Sequence, residues 1–183
     1  MLENLINLVR QNAGDAVINN PSIPNEKNEE AVQSAGGSIM STLQNALSGG
    51  KIEDVLNYFK NGKSASPEIV QQATTHYAND LQSKIGLNSE EAQRVADGVV
   101  PQAMDQLAAK TADPSDNGFN IQDIFNKLSG GKTGGLNIQS MLNKFGGAKL
   151  DKDGDGDVDL QDLKSMFSGG TGGLMDKMKG MFN

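Results

Sequence analysis

Apolar residues recur at steps of three and four along most of this 183-residue chain. Residues spaced in this way share one face of an α-helix, whereas a half-buried strand requires strict alternation of apolar and polar residues. No convincing alternating run occurs anywhere in the sequence. The pattern therefore predicts an all-α fold, with a helical bundle over residues 1–110.

Turn and cap residues mark the ends of several predicted helices. Ser66 and Pro67 are typical of a helix start, and Asn88 begins a second start with capping-box character. Gly86 stands where a left-handed residue is expected to end the helix between them. Pro101 is expected to kink or split the following helix near its preceding residue. The first helix should turn four apolar residues inward: Leu2, Leu5, Ile6 and Val9.

A short unit recurs along the chain, at residues 52–59, 121–128, 138–145 and 160–167. Each copy would form about two helical turns with one apolar face, and the last three stop at a glycine pair. Helices this short need neighbours to bury that face. The glycine pairs and short units lead us to divide the chain into a bundle at 1–110 and a glycine-rich region of short helices at 111–183.

Composition excludes several classes of site and partner. Without cysteine the chain has no disulfides, zinc–thiolate sites or thiol nucleophiles. A net charge of −7 argues against binding to nucleic acid or to an anionic membrane surface. Aromatic residues make up only 4% of the chain, so the core must rely on aliphatic side chains and stability should be modest.

Apolar stretches are too short for membrane insertion. The longest runs reach only a few residues, whereas a transmembrane helix needs about 20. The first ten residues have neither a basic start nor a continuous apolar stretch, so we expect no signal peptide. These features predict a cytoplasmic protein without a transmembrane segment.

Two stretches in the middle of the chain carry a family resemblance. Residues 84–92 read Lys-Ile-Gly-Leu-Asn-Ser-Glu-Glu-Ala, and residues 99–107 read Val-Val-Pro-Gln-Ala-Met-Asp-Gln-Leu. Together with Gly49-Gly50-Lys51-Ile52, they resemble the YidB-like family of small bacterial proteins over about residues 45–130. The resemblance implies an all-α bundle. It implies no activity, because that family is functionally uncharacterised.

The most specific chemical signal is the segment 151–162, which reads Asp-Lys-Asp-Gly-Asp-Gly-Asp-Val-Asp-Leu-Gln-Asp. Calcium is a hard cation that takes six to eight oxygen ligands in proteins. Acids at alternate positions can converge on one ion if the chain turns sharply between them, and Gly156 permits the positive φ that such a turn needs. The segment therefore predicts a metal site made of six aspartates: Asp151, Asp153, Asp155, Asp157, Asp159 and Asp162.

This segment closely resembles the EF-hand family, including its single-loop bacterial variants. The resemblance implies side-chain ligands at Asp151, Asp153 and Asp155, a backbone carbonyl from Asp157, and Asp159 acting directly or through water. Asp162 would close the loop at position twelve, and residues 160–167 would form the exiting helix. Because EF-hands usually have the longer Glu at position twelve, we expect weaker Ca²⁺ binding or a smaller preference over Mg²⁺.

EF-hands usually pair, and residues 112–123 align with the loop if Asp123 is matched to Asp162. Asp116, Asn120 and Asp123 then fall at positions five, nine and twelve, while Ala112 and Pro114 remove the first two ligands. The segment could be a metal-free partner that docks through Phe119 and Val158. It could also be a polar linker, and the sequence leaves both interpretations open.

The sequence contains no signature of catalysis. His76 is the only histidine, and no serine lies in a nucleophile elbow. We therefore predict a non-enzymatic, calcium-binding bacterial protein. The alternative is a structural or interaction module in which the ion is only a staple, and which binds a protein partner through an apolar stripe near the C-terminus: Leu174, Met175, Met178, Met181 and Phe182.

Overall fold

The computed structural model describes residues 2–113, 115–116, 118–131, 133 and 137–144. These residues are almost entirely helical, and no strand occurs among them, so the predicted all-α fold is confirmed. Five longer helices come first, followed by two short ones: α1 Leu2–Asn12, α2 Asn28–Ser48, α3 Ile52–Asn61, α4 Pro67–Asp80, α5 Ser89–Ala112, α6 Ile121–Leu128 and α7 Ile138–Lys144.

Helix α5 lies at the centre of the bundle, in contact with α1, α3 and α4. Helix α2 packs against α1 and α4 on the neighbouring side. The core is mainly aliphatic, as the composition predicts, but two fully buried tyrosines, Tyr58 and Tyr77, are among its largest side chains. In the described residues, no helix combines the length and the apolar character that crossing a bilayer requires.

The predicted helix ends are mostly confirmed, with two differences in detail. Gly86 has φ 93° and ends the α4 segment, and the Asn88 side chain accepts a hydrogen bond from the backbone N–H of Glu91 at 2.9 Å. Ser66 precedes α4, but its hydroxyl donates to the carbonyl of Asp54 at 2.7 Å instead of capping its own helix. Helix α5 runs through Pro101 as a single element, so the proline does not split it.

Helix α1 approaches α2 closely because of a glycine. A Cβ at Gly36 would lie 3.1 Å from Cγ1 of Ile6, so the Ile6 side chain would have to move by a few tenths of an ångström. Glycine in a helix costs about 1 kcal/mol relative to alanine, and here the close packing of α1 offsets that cost. Leu2, expected to face inward, is 46% exposed, and Leu8 is buried on that face instead.

Three of the four short units are helices in the structure: α3, α6 and α7. The first, fourth, fifth and eighth residues of the α6 unit are all buried, namely Ile121, Ile124, Phe125 and Leu128. The corresponding residues of α3 are buried in the same way. Residues 160–167, the fourth copy, lie outside the described residues.

The apolar core continues beyond residue 110. Phe125 of α6 packs on Phe59 of α3 with ring centroids 5.8 Å apart, and Ile138 and Met141 of α7 belong to the same buried cluster. Helices α6 and α7 therefore add to the bundle. The division of the chain at residues 110 and 111 stays a prediction, because most of the second region lies outside the described residues.

We expect loss of the hydroxyl to change the free energy of unfolding in opposite directions at the two buried tyrosines. Tyr58 donates to the carbonyl of Met104 at 2.6 Å, whereas the Tyr77 hydroxyl has no partner in the described structure. Burial, with a smaller effect from Asp80, raises the pKa of Tyr77 above its usual value. An unsatisfied buried polar group costs about 1–3 kcal/mol. We therefore expect Tyr77→Phe to leave the free energy of unfolding unchanged or raise it by about 1 kcal/mol.

Tyr58→Phe is the matched control, and it should lower the free energy of unfolding by about 1–2 kcal/mol because a buried hydrogen bond is lost. Urea unfolding of both variants measures the difference. An equal decrease in the free energy of unfolding of both variants would show that the Tyr77 hydroxyl makes a stabilising contact.

Candidate functional site

The six aspartates predicted to bind metal lie outside the described residues, as does the whole of segment 151–162. The described chain ends at Lys144, the last residue of α7. The metal site therefore stays a prediction from the sequence. Of the region 111–183, the structure describes most of segment 112–123, which aligns with the loop, and helices α6 and α7.

The start of α7 is held by a side chain of α6. Oε1 of Gln122 accepts a hydrogen bond from the backbone N–H of Ile138 at 2.9 Å, and Nε2 of Gln122 donates to the carbonyl of Thr133. Asn137 caps α7 through a 2.8 Å bond from the N–H of Ser140. The start of α7 is thus held to α6 by side-chain bonds to backbone, which satisfy groups at the helix start.

Two of the three acidic side chains of segment 112–123, those of Asp113 and Asp116, accept hydrogen bonds from the protein itself. Oδ1 of Asp116 accepts from the N–H of Gly118 at 2.9 Å, and Oδ2 accepts from Nζ of Lys110 at 3.1 Å. These two bonds, the backbone bond first, lower the pKa of Asp116. The hydroxyl and N–H of Ser115 lower the pKa of Asp113 in the same way. Both carboxylates therefore stabilise a turn.

The last part of this segment begins helix α6. Oδ1 of Asn120 accepts hydrogen bonds from the N–H groups of Gln122 and Asp123, so Asn120 is the N-cap. Nδ2 of Asn4 donates to the carbonyl of Gly118 at 2.8 Å and ties the turn to α1. These contacts are those of a structured, helix-capping connection. A contact between Phe119 and Val158 involves a residue outside the described range, so the paired-loop interpretation stays a prediction.

No group of three or more His, Asp or Glu residues in the described part of the chain is arranged to hold a metal ion. His76 lies on α4, and its Nδ1 is 3.1 Å from Oγ1 of the buried Thr42. Nearby are Asp80 and Ser38, whose polar atoms are 3.5 Å apart. These contacts link α4 to α2, and they line a groove between the two helices.

This groove, which we call the α2–α4 groove, was not anticipated from the sequence. It has a volume of about 680 Å³ and is lined by Ser34, Gly37, Ser38 and Ser41 on the α2 side. Those residues follow a three- and four-residue spacing, so they share one helix face. These small residues on one helix face were the sequence feature from which the groove could have been predicted.

No protein-family model, curated protein or solved structure matches this chain. The resemblances to EF-hand loops and to the YidB-like family therefore stand on the residues quoted above. The geometry of the described residues and the chemistry of segment 151–162 carry the proposals that follow.

Proposed function

We propose that this protein binds one Ca²⁺ ion through segment 151–162 and is not an enzyme. The observation that carries the proposal is the placement of aspartates at positions one, three, five, seven, nine and twelve of twelve residues, with Gly156 at position six. Calcium loops take oxygen ligands at those positions and a glycine at the sixth. The ligands are Asp151, Asp153, Asp155, the backbone carbonyl of Asp157, Asp159 and Asp162.

Electrostatics supports an ion in preference to a solvated acidic turn. Two unit charges about 4 Å apart interact by about 4 kcal/mol near a protein surface. Six carboxylates in twelve residues, with only Lys152 among them, would repel one another at every pairing. A divalent cation at their centre offsets part of that repulsion, and the ordering of the loop then becomes linked to ion binding.

The segment after the loop has the sequence of a short helix that this chain uses elsewhere. Residues 160–167 correspond to the units that form α6 and α7. Asp159 occupies the place of Asn120 and Asn137, which cap those helices. The proposal therefore includes a helix that begins after Asp159, as the exiting helix of an EF-hand does, and it keeps the cytoplasmic location expected from the sequence.

The alternative is an interaction module in which the ion is a permanent staple and the Met/Phe stripe at 174–182 binds a partner. The two hypotheses predict different rates of Ca²⁺ dissociation. Exchange within seconds on adding a chelator supports reversible binding, whereas release only on unfolding supports the staple.

Position twelve provides a test of the loop geometry. Asp162→Glu lengthens the side chain so that both carboxylate oxygens can reach the ion, as at this position in EF-hands. We expect Ca²⁺ to bind about tenfold more tightly, with little change for Mg²⁺, which takes fewer carboxylate oxygens in an octahedral site. Competition titrations against a chromophoric chelator measure both affinities. Equal Ca²⁺ affinity of the two proteins would contradict the assignment of Asp162 to position twelve.

A further inference from the structure

The side chains that line the α2–α4 groove are polar or charged, although carbon atoms supply a large part of its surface. None of the ten residues that line it has an apolar side chain, and its volume of about 680 Å³ is that of a small-molecule site. Its α4 side carries His76, Asn79 and Asp80, and Lys84 stands at one end. Gly37 lies in the middle of the α2 side, where a Cβ would meet no atom within 4 Å.

The charges on this groove are already compensated. Asp80 forms a 2.8 Å ion pair with Lys84, and Glu30 forms a 2.8 Å ion pair with Lys27. Two carboxylates and two ammonium groups thus neutralise one another at the groove. A charged ligand would have to break one of these pairs, whereas a neutral ligand would leave both in place.

Neutral hydrogen-bonding groups remain available. The hydroxyl of Ser34 makes no hydrogen bond among the described residues, and it lines the groove, where solvent reaches it. The ring of His76 is oriented by Thr42 at Nδ1, which leaves Nε2 without a partner among the described residues. A hydroxyl both donates and accepts, and a single free imidazole nitrogen does one or the other according to the tautomer.

From this arrangement we infer that the α2–α4 groove binds a neutral, polyhydroxylated small molecule of the size of a monosaccharide or cyclitol. Ligand hydroxyls match the hydroxyl of Ser34, Nε2 of His76 and the acceptor that Ser38 keeps while its hydroxyl donates to Asp80. The absence of bulk at Gly37 leaves room for a ring. None of the residues that line the groove is Phe, Tyr or Trp, the rings on which sugars usually stack. Affinity therefore rests on hydrogen bonds exchanged with water, each worth little net, and falls in the millimolar range.

The test is a titration of the ¹⁵N-labelled full-length chain with D-glucose and with myo-inositol, followed by amide chemical shifts. We expect saturable shifts with at least one of them, confined to residues 30–41 and 76–84. Gly37→Leu should abolish them, because the larger side chain fills the groove without touching the core. Ser34→Ala should weaken binding about three- to tenfold through the loss of one hydrogen bond.

Ser83→Ala is the matched control, because the Ser83 hydroxyl is bonded to the carbonyl of Asn79 and does not line the groove. It should leave the affinity unchanged. The absence of saturable shifts, or the same shifts in Gly37→Leu, would overturn the inference. Saturable binding of spermidine in place of both neutral probes would also overturn it, by showing a site for cations.

Discussion

Asp151→Ala is expected to abolish Ca²⁺ binding. Asp151 is the first ligand of the proposed loop. Its replacement by alanine removes one coordinating oxygen and one negative charge from the group of ligands around the ion. Removing even an indirect partner of a metal ligand typically costs about 10–100-fold in affinity, so a direct ligand should cost more than about 100-fold. Calorimetric titration of chelator-stripped protein should show heat of binding for the unchanged chain and none for the variant at the same Ca²⁺ concentrations.

Asp123→Ala is the matched control for this substitution. It makes the same change of charge at an exposed residue in the first turn of α6, which aligns with position twelve of the loop. Calcium affinity should stay within about twofold of the unchanged chain, because Asp123 is not one of the proposed ligands and salt screens exposed charges. Equal losses in both variants would mean that the net charge of the chain, and not a specific loop, attracts the ion.

Phe125→Ala is expected to destabilise the whole bundle. Phe125 is 1% exposed and packs on Phe59, so its removal leaves a cavity in the shared core. Truncation of a buried phenylalanine costs about 3–5 kcal/mol, which is a large part of the stability of a small protein. Urea unfolding followed by circular dichroism should show a single transition at a lower midpoint.

Lys127→Ala, on the exposed side of the same helix, should change the midpoint little. The experiment also tests how α6 relates to the preceding helices. If Phe125→Ala left the main transition unchanged, α6 would be a separate unit that unfolds independently of residues 1–110.

Sequence alone was sufficient for the helices, because local signals define them. Three- and four-residue spacing of apolar residues predicts helices along most of the chain. Gly86 and Asn88 mark an end and a start through their own backbone and side-chain preferences. The three described short units were recognised in the same way. Leu2 was expected to be buried but is exposed, because at a helix terminus the apolar spacing alone does not determine which residues contact neighbouring helices.

The missed features all depend on contacts between residues far apart in the chain. Ser66 bonds to Asp54 of another helix, and Gln122 reaches the start of α7. The close approach of Ile6 to Gly36 and the α2–α4 groove likewise exist only once the helices are packed. No local propensity encodes such contacts. The proposed calcium loop is the opposite case, since its predicted ligands lie within one twelve-residue segment.

The measurement that tests the central claim most directly is a calorimetric Ca²⁺ titration of the chelator-stripped, full-length chain. The proposal predicts one ion bound per chain, with a dissociation constant between micromolar and millimolar, as in sensor and extracellular calcium loops. It also predicts a gain of helix by circular dichroism as the exiting segment forms. No binding heat and no change in helicity would contradict it, and would reduce segment 151–162 to an acidic turn.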